Sequence, residues 1–284
     1  MKKIAVVTGT NSSITREEAK KLGVSLITMP FLVNGLSYFE DQNCTYEQFF
    51  EMLEAGDDVS TSQPSPEAVT ALWDKLLKTH DSVIHIPMSS ALSSSYSTAK
   101  ALSMDYEGRV YVADNKRISV TLRESVLDAL RLIEKGFSAE EVCAKLEENA
   151  LNSSIYIAVN SLDLLKKGGR VTPAAAAVAT LLGLKPVLQL QGEKLDAYAK
   201  VRGMAAAEKA MLRAAEKDLQ TRFSGKPVRI YAAYSGDAKQ AQEWKKSVRK
   251  YFGDSKIEMH KLPISICCHV GSGVKAIAVT EYLE

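Results

Sequence analysis

The chain has 284 residues, of which 46% are hydrophobic and 25% charged, the balance of a globular protein long enough to divide into two cores. Its 36 basic and 34 acidic side chains leave a net charge of +2, with no clustered basic stripe, which argues against a broad nucleic-acid surface. No window approaches the roughly 18 apolar residues of a membrane span, and the run from Ile4 to Val7 is too short for a signal sequence, so a cytoplasmic protein is expected.

In chain order, short β-branched runs alternate with longer patterned ones. A strand at 3–8 precedes helices at 15–22, 45–54 and 66–78. A strand at 82–86, a helix at 93–103 and a strand at 110–112 follow, then helices at 120–135 and 139–149. Strands at 154–159 and 186–190 come next, then a helix at 204–220 and a strand at 228–234. A helix at 238–252 and strands at 257–261 and 274–279 complete the chain. Pro66 after Ser65 marks a helix start. Gly136 marks a helix end, and Ser138 with Glu141 forms a capping box for the next helix. Gln191-Gly192 reads as a hairpin turn, giving an antiparallel edge. The alternation predicts an α/β fold of two lobes, 1–150 and 151–284, each a mainly parallel sheet flanked by helices.

Five segments could carry chemistry. Thr8-Gly9-Thr10-Asn11-Ser12-Ser13 follows the first strand, at the usual ligand edge of an α/β sheet. Its hydroxyls and N–H groups suit an anion, and Thr8 and Ser12 are candidates. Val59-Ser60-Thr61-Ser62-Gln63-Pro64-Ser65-Pro66 is a proline-stiffened loop that would hold the Thr61 and Ser62 hydroxyls. Met88-Ser89-Ser90-Ala91-Leu92-Ser93-Ser94-Ser95-Tyr96-Ser97 brings Ser93 to another strand end, ahead of a helix N-terminus. Together these three segments predict a donor-rich cup for a carboxylate or phosphate. Leu164-Leu165-Lys166-Lys167-Gly168-Gly169-Arg170-Val171-Thr172-Pro173 places Arg170 on a bend, where it could pair with an anion bidentately. His269-Val270-Gly271-Ser272-Gly273 sets a histidine beside a glycine turn.

Other chemistries lack their signatures. There is no P-loop or dinucleotide glycine pattern, no serine-hydrolase elbow and no metal-ligand spacing. No cofactor and no metal are expected. Cys267-Cys268 reads as two small apolar residues, since adjacent side chains on a strand point apart and chelate poorly with His269. The run Lys245, Lys246, Arg249, Lys250 reads as a solvated helix face.

In this order, the five segments resemble the DegV family of bacterial fatty-acid-binding proteins, above all through Thr61-Ser62-Gln63-Pro64-Ser65 and Lys166-Lys167-Gly168-Gly169-Arg170. The sequence departs from the family pattern at Gly9, where an acidic residue is usual. Ser94-Ser95 replaces Gly-Thr, and Ser272 replaces a proline. The resemblance implies an apolar tunnel for a long-chain fatty acid in the second lobe. Thr61, Ser62 and Ser93 would hold the carboxylate, with Arg170 and His269 near the head group. It also implies a non-enzymatic carrier that presents the acid to a separate ATP-dependent kinase, for acyl-phosphate formation and phospholipid synthesis. From the residues, Ile155 to Val159 and Ala174 to Leu184 are candidate tunnel walls. The alternative is an enzyme acting on a small phosphorylated or carbonyl substrate through Ser93 and His269.

Overall fold

The computed structural model describes residues 2–177, 184–253 and 257–284. In the first part of the chain, β1 (Ile4–Gly9) and α1 (Arg16–Leu22) lead into β2 (Ser25–Ile27), β3 (Pro30–Val33) and β4 (Leu36–Phe39). Then come α2 (Tyr46–Glu54), β5 (Val59–Thr61), α3 (Pro66–Leu77), β6 (Ser82–Ile86), α4 (Ser95–Ser103) and β7 (Val110–Val112), followed by α5 (Ser119–Glu134) and α6 (Ala139–Glu148). The rest comprises β8 (Ser153–Ala158), α7 (Asp163–Gly168), α8 (Pro173–Ala176), β9 (Leu184–Leu190), β10 (Asp196–Arg202), α9 (Met204–Gln220), β11 (Val228–Tyr234), α10 (Ala238–Phe252), β12 (Glu258–Lys261), α11 (Ile264–Val270) and β13 (Lys275–Glu281).

A four-stranded parallel sheet, in the order β2-β1-β6-β7, anchors the first part. Helices cover both its faces, so its central strands are buried on both sides rather than alternating. Val6, Ile84 and Ile86 pack on Leu122 and Val126 of α5. Val7 and Val83 pack on Trp73 of α3 and Ala99 of α4. The capping features read from the sequence are present: Ser65 and Ser138 each accept an N–H in the first turn of their helix, and Gly136 has φ of +93°.

A small antiparallel sheet, β4-β3-β5, stands beside it. Its hairpin turns on Asn34 and Gly35, at φ of +50° and +80°, the pattern of a type I′ turn. Short strands of three or four residues carry little periodic signal, and the sequence reading missed them. The Asn-Gly pair between Val33 and Leu36 was the available cue.

The second sheet corrects one expectation. Its order is β10-β9-β8-β13-β11-β12, and it is mainly antiparallel, not parallel: only β11 and β12 run parallel. The physical reason is connectivity. The β9–β10 hairpin has too short a loop for a parallel crossover, and the last strand, β13, inserts between β8 and β11. Only β11-α10-β12 is the parallel unit that alternation suggested. The antiparallel edge expected at Gln191-Gly192 is present as β9–β10.

Alternate residues of this sheet serve two different cores. Tyr156, Ala158 and Ile277 face α9 and α10, with Met211 and Trp244. Ile155, Ile157, Leu188 and Ala276 face the other way, toward Phe31 and Phe49 and the helices α7 and α11. Ion pairs tie α5 to this sheet. Arg123 bonds Glu18 and approaches Glu258, while the Tyr231 hydroxyl donates to the buried Glu124 carboxylate.

Candidate functional site

An apolar cavity lies on the inner face of the six-stranded sheet. Ile155 and Ile157 of β8, Leu190 of β9, Ala233 of β11 and Ala276 and Ala278 of β13 form its floor. Leu92, Ile118, Leu165 and Leu262 add further apolar wall. Residues from both parts of the chain line this cavity, Thr61 and Ser93 from the first and Ile155 and His269 from the second. Ala174 to Ala177 and Leu184 do not line it; residues 178–183 of that candidate wall lie outside the described residues.

At the rim are Thr61, Ser62, Gln63, Ser93, Ser94, Arg170 and His269. All of these are partly or fully exposed, whereas the floor is buried. Five of the seven residues singled out from the sequence therefore meet at one opening. Thr61 is the last residue of β5, paired opposite Phe31, so it sits on a strand and not in the loop expected. Ser62 follows it, its hydroxyl donating to Gln63 O at 3.1 Å. Ser93 precedes α4; its Oγ accepts the Ser95 N–H at 3.2 Å and lies 2.8 Å from Ser95 Oγ.

His269 corrects a second expectation. Residues 264–270 form α11, not an extended run leading to the last strand. Ser265, Ile266, His269 and Val270 therefore share one helix face, and all four line the cavity. The neighbouring Cys267 and Cys268 are buried in the core, and burial pushes both thiols up. His269 Nε2 lies 2.9 Å from Thr61 Oγ1. Burial, reinforced by the nearby Arg170 charge, pushes the imidazole down to about 4, so it is neutral at neutral pH.

Arg170 also differs from the sequence picture. The preceding residues form helix α7 rather than a loop, closed by Gly169 at φ of +68°. Arg170 then folds back over the site, its Nε donating to Leu92 O at 3.2 Å and its Nη1 to Gly168 O. Gly168 lies close under the imidazole: a Cβ there would be 2.5 Å from His269 Nδ1, so a larger residue would displace the ring.

Thr8 and Ser12 do not join this rim. The Thr8 hydroxyl donates to Ile86 O of the neighbouring strand at 2.7 Å, inside the parallel sheet. Ser12 is fully buried in a short 3-10 turn. Gly9 has a local reason, since a Cβ there would meet Asn11 Oδ1 at 2.8 Å. At Ser272 the turn is kept by its flanking glycines, Gly271 and Gly273, at φ of +77° and +69°.

The sequence reading missed Gln63 and Ser265 as lining residues. Gln63 was within a quoted segment, and its Oε1 accepts from Thr98 Oγ1 at 3.0 Å. Ser265 carried no signal, because α11 was not foreseen. Among the described residues, no group of three or more His, Cys, Asp or Glu could hold a metal ion, and no helix is long and apolar enough to cross a membrane.

Comparison with known proteins finds relatives along nearly the whole chain. A DegV domain-containing protein from Deinococcus radiodurans is 29% identical over 282 residues, covering 97% of this chain and 98% of its own. The fold matches that described as fatty acid binding of a DegV family protein from Thermus thermophilus, with a TM-score of 0.88, 29% identity and coverage of 98% and 99%. It also matches DegV, a fatty acid binding protein from Bacillus subtilis, with a TM-score of 0.83, 26% identity and coverage of 99% and 100%. The family model described as "Uncharacterised protein, DegV family" matches residues 3–281, and the chain belongs to the DegV family.

Proposed function

We propose that the protein binds one long-chain fatty acid, its tail in the apolar cavity and its carboxylate at the rim formed by Thr61, Ser62 and Ser93. The observation that carries this reading is a buried apolar cavity opening onto a cluster of hydroxyls with a neutral histidine and an arginine. Burying about 15 methylenes at roughly 0.8 kcal/mol each is on the order of 12 kcal/mol gross. Association costs of several kcal/mol leave ample affinity, so the tail supplies binding and the rim supplies orientation. In the His269 tautomer whose Nε2–H donates to Thr61, and with Ser95 turned to donate to Ser93, both rim hydroxyls keep their own protons for a carboxylate.

In the same proposal, the protein is a cytoplasmic carrier with no catalysis of its own. It presents the acid to a separate ATP-dependent kinase, which forms an acyl phosphate for phospholipid synthesis. Arg170 and His269 flank the carboxylate where the phosphoryl group would arrive. Division of the chain at 150/151 belongs to this reading, with the ligand held where the two parts meet. The rival enzyme reading needs Ser93 paired with His269 beside a short polar pocket. Instead His269 pairs with Thr61, Ser93 pairs with Ser95, and the pocket is apolar, which favours the carrier.

The test is extraction of the purified protein followed by mass spectrometry, with titration of the delipidated protein by palmitate. About one equivalent of fatty acid and saturable binding are expected. No fatty acid together with no binding overturns the proposal.

A further inference from the structure

Ser265 is out of place in the cavity it lines. Its side chain is 6% exposed, and among the described residues its Oγ has no hydrogen-bond partner. A buried hydroxyl left unpaired has lost its water without a replacement hydrogen bond, so a free-standing serine in an apolar wall calls for a partner. The other buried serine lining the cavity, Ser119, is already paired with Ser13 at 2.9 Å.

Position says which part of a ligand Ser265 would meet. It precedes His269 by four residues on α11, so the two lie on one helix face, one turn or about 6 Å apart. His269 is partly exposed at the rim and Ser265 is buried, so Ser265 is the deeper of the two. A span of about 6 Å is roughly four or five carbon–carbon bonds of an extended chain. A ligand whose carboxylate sits at Thr61 and His269 thus brings the first few carbons of its tail past the Ser265 hydroxyl.

We propose that Ser265 is a specificity residue that selects acyl chains bearing an oxygen, as hydroxyl or keto, within about six carbons of the carboxylate. The inference rests on the fatty-acid reading of the same cavity and adds the ligand subclass. A hydroxyl on the chain both donates and accepts, so it pairs with Ser265 whichever way that hydroxyl turns. An unsubstituted chain leaves the serine unpaired and gains nothing from it.

The experiment is a calorimetric comparison of palmitate, 3-hydroxypalmitate, 5-hydroxypalmitate and 12-hydroxystearate on the wild type and Ser265→Ala. The wild type is expected to bind at least one proximal hydroxy acid on the order of tenfold more tightly, relative to palmitate, than the variant does. Palmitate affinity should be unchanged or improved by the substitution, and the 12-hydroxy acid should gain nothing from Ser265. Ser265→Cys fills the same space with only a weak donor and carries the same expectation should the alanine variant fold poorly. Equal relative affinities in wild type and variants, with palmitate still bound, overturn the role of Ser265 alone. Absence of binding by all four acids overturns the fatty-acid reading and this inference with it.

Discussion

Thr61 Oγ1 and His269 Nε2 meet at 2.9 Å although 208 residues separate them in the chain. One stands at the end of a three-residue strand and the other in the last turn of a seven-residue helix. The contact closes the polar rim over the apolar cavity and holds a neutral imidazole against the hydroxyl proposed to meet a carboxylate.

Removing rim hydroxyls should separate orientation from affinity. Thr61→Ala combined with Ser93→Ala is expected to weaken palmitate binding severalfold, the size of lost hydrogen bonds to a charged group in partly exposed surroundings. Turnover with the kinase proposed as its partner should fall much further, by a hundredfold or more. Parallel calorimetry and acyl-phosphate assays check this, and equal losses in both would contradict the division of labour.

Arg170→Ala should leave palmitate binding within about threefold while lowering kinase turnover at least tenfold. Arg170 bonds to Leu92 O and Gly168 O, so a stability loss of about 1–2 kcal/mol is also expected. Urea unfolding reports that loss apart from the assay. Unchanged turnover would remove Arg170 from the head-group role.

Gly168→Ala should act through His269. A Cβ at this position would lie 2.5 Å from His269 Nδ1, so the ring must swing away from Thr61. The variant is expected to lose kinase turnover to about the extent of His269→Ala, with the double variant no worse than either single one. Additive losses would show that Gly168 acts on something else.

The cavity can be filled from its floor. Ala278 lies on the central strand β13 and is 1% exposed. Ala278→Phe should project its ring into the cavity and reduce palmitate binding by more than tenfold, while the melting temperature shifts by only a few degrees. Binding retained at full strength would place the tail elsewhere.

Acid should expose the histidine. The His269 pKa is depressed to about 4 from an ordinary 6.5, so the unfolded chain binds more protons between these values. Its contribution to stability is complete above pH 6.5 and is lost as pH falls toward 4. His269→Gln should flatten that stretch of the stability curve, read as urea midpoints at pH 7, 5.5 and 4.5. His85, pushed down to about 3 by burial, contributes alike in both proteins. Parallel curves would contradict the assignment.

Much of the first part of the fold was legible because its signals are local. Pro66 behind Ser65, the Ser138–Glu141 box and the apolar runs of β1 and β6 each settle their element within a few residues. The direction of the second sheet was not legible, since β13 pairs with β8 and β11 by long-range insertion, which leaves no local pattern. Helix α11 was hidden for a related reason: Ile264 to Val270 is almost wholly buried, and a seven-residue run buried on nearly every side shows neither period. Hydroxyl-rich spacing and family resemblance picked out Thr61, Ser62, Ser93, Arg170 and His269, and these five line one cavity. Thr8 does not line that cavity, its hydroxyl donating to Ile86 O instead, and Ser265 was missed with its helix.

The most direct measurement is a crystal structure of the protein loaded with palmitate. The account predicts one acyl chain running over Ile155, Ile157 and Ala278, with a carboxylate oxygen within about 3.2 Å of Thr61 Oγ1 and of a Ser62 or Ser93 hydroxyl. A carboxylate seated away from that rim, or a palmitate bound outside the cavity, would contradict it.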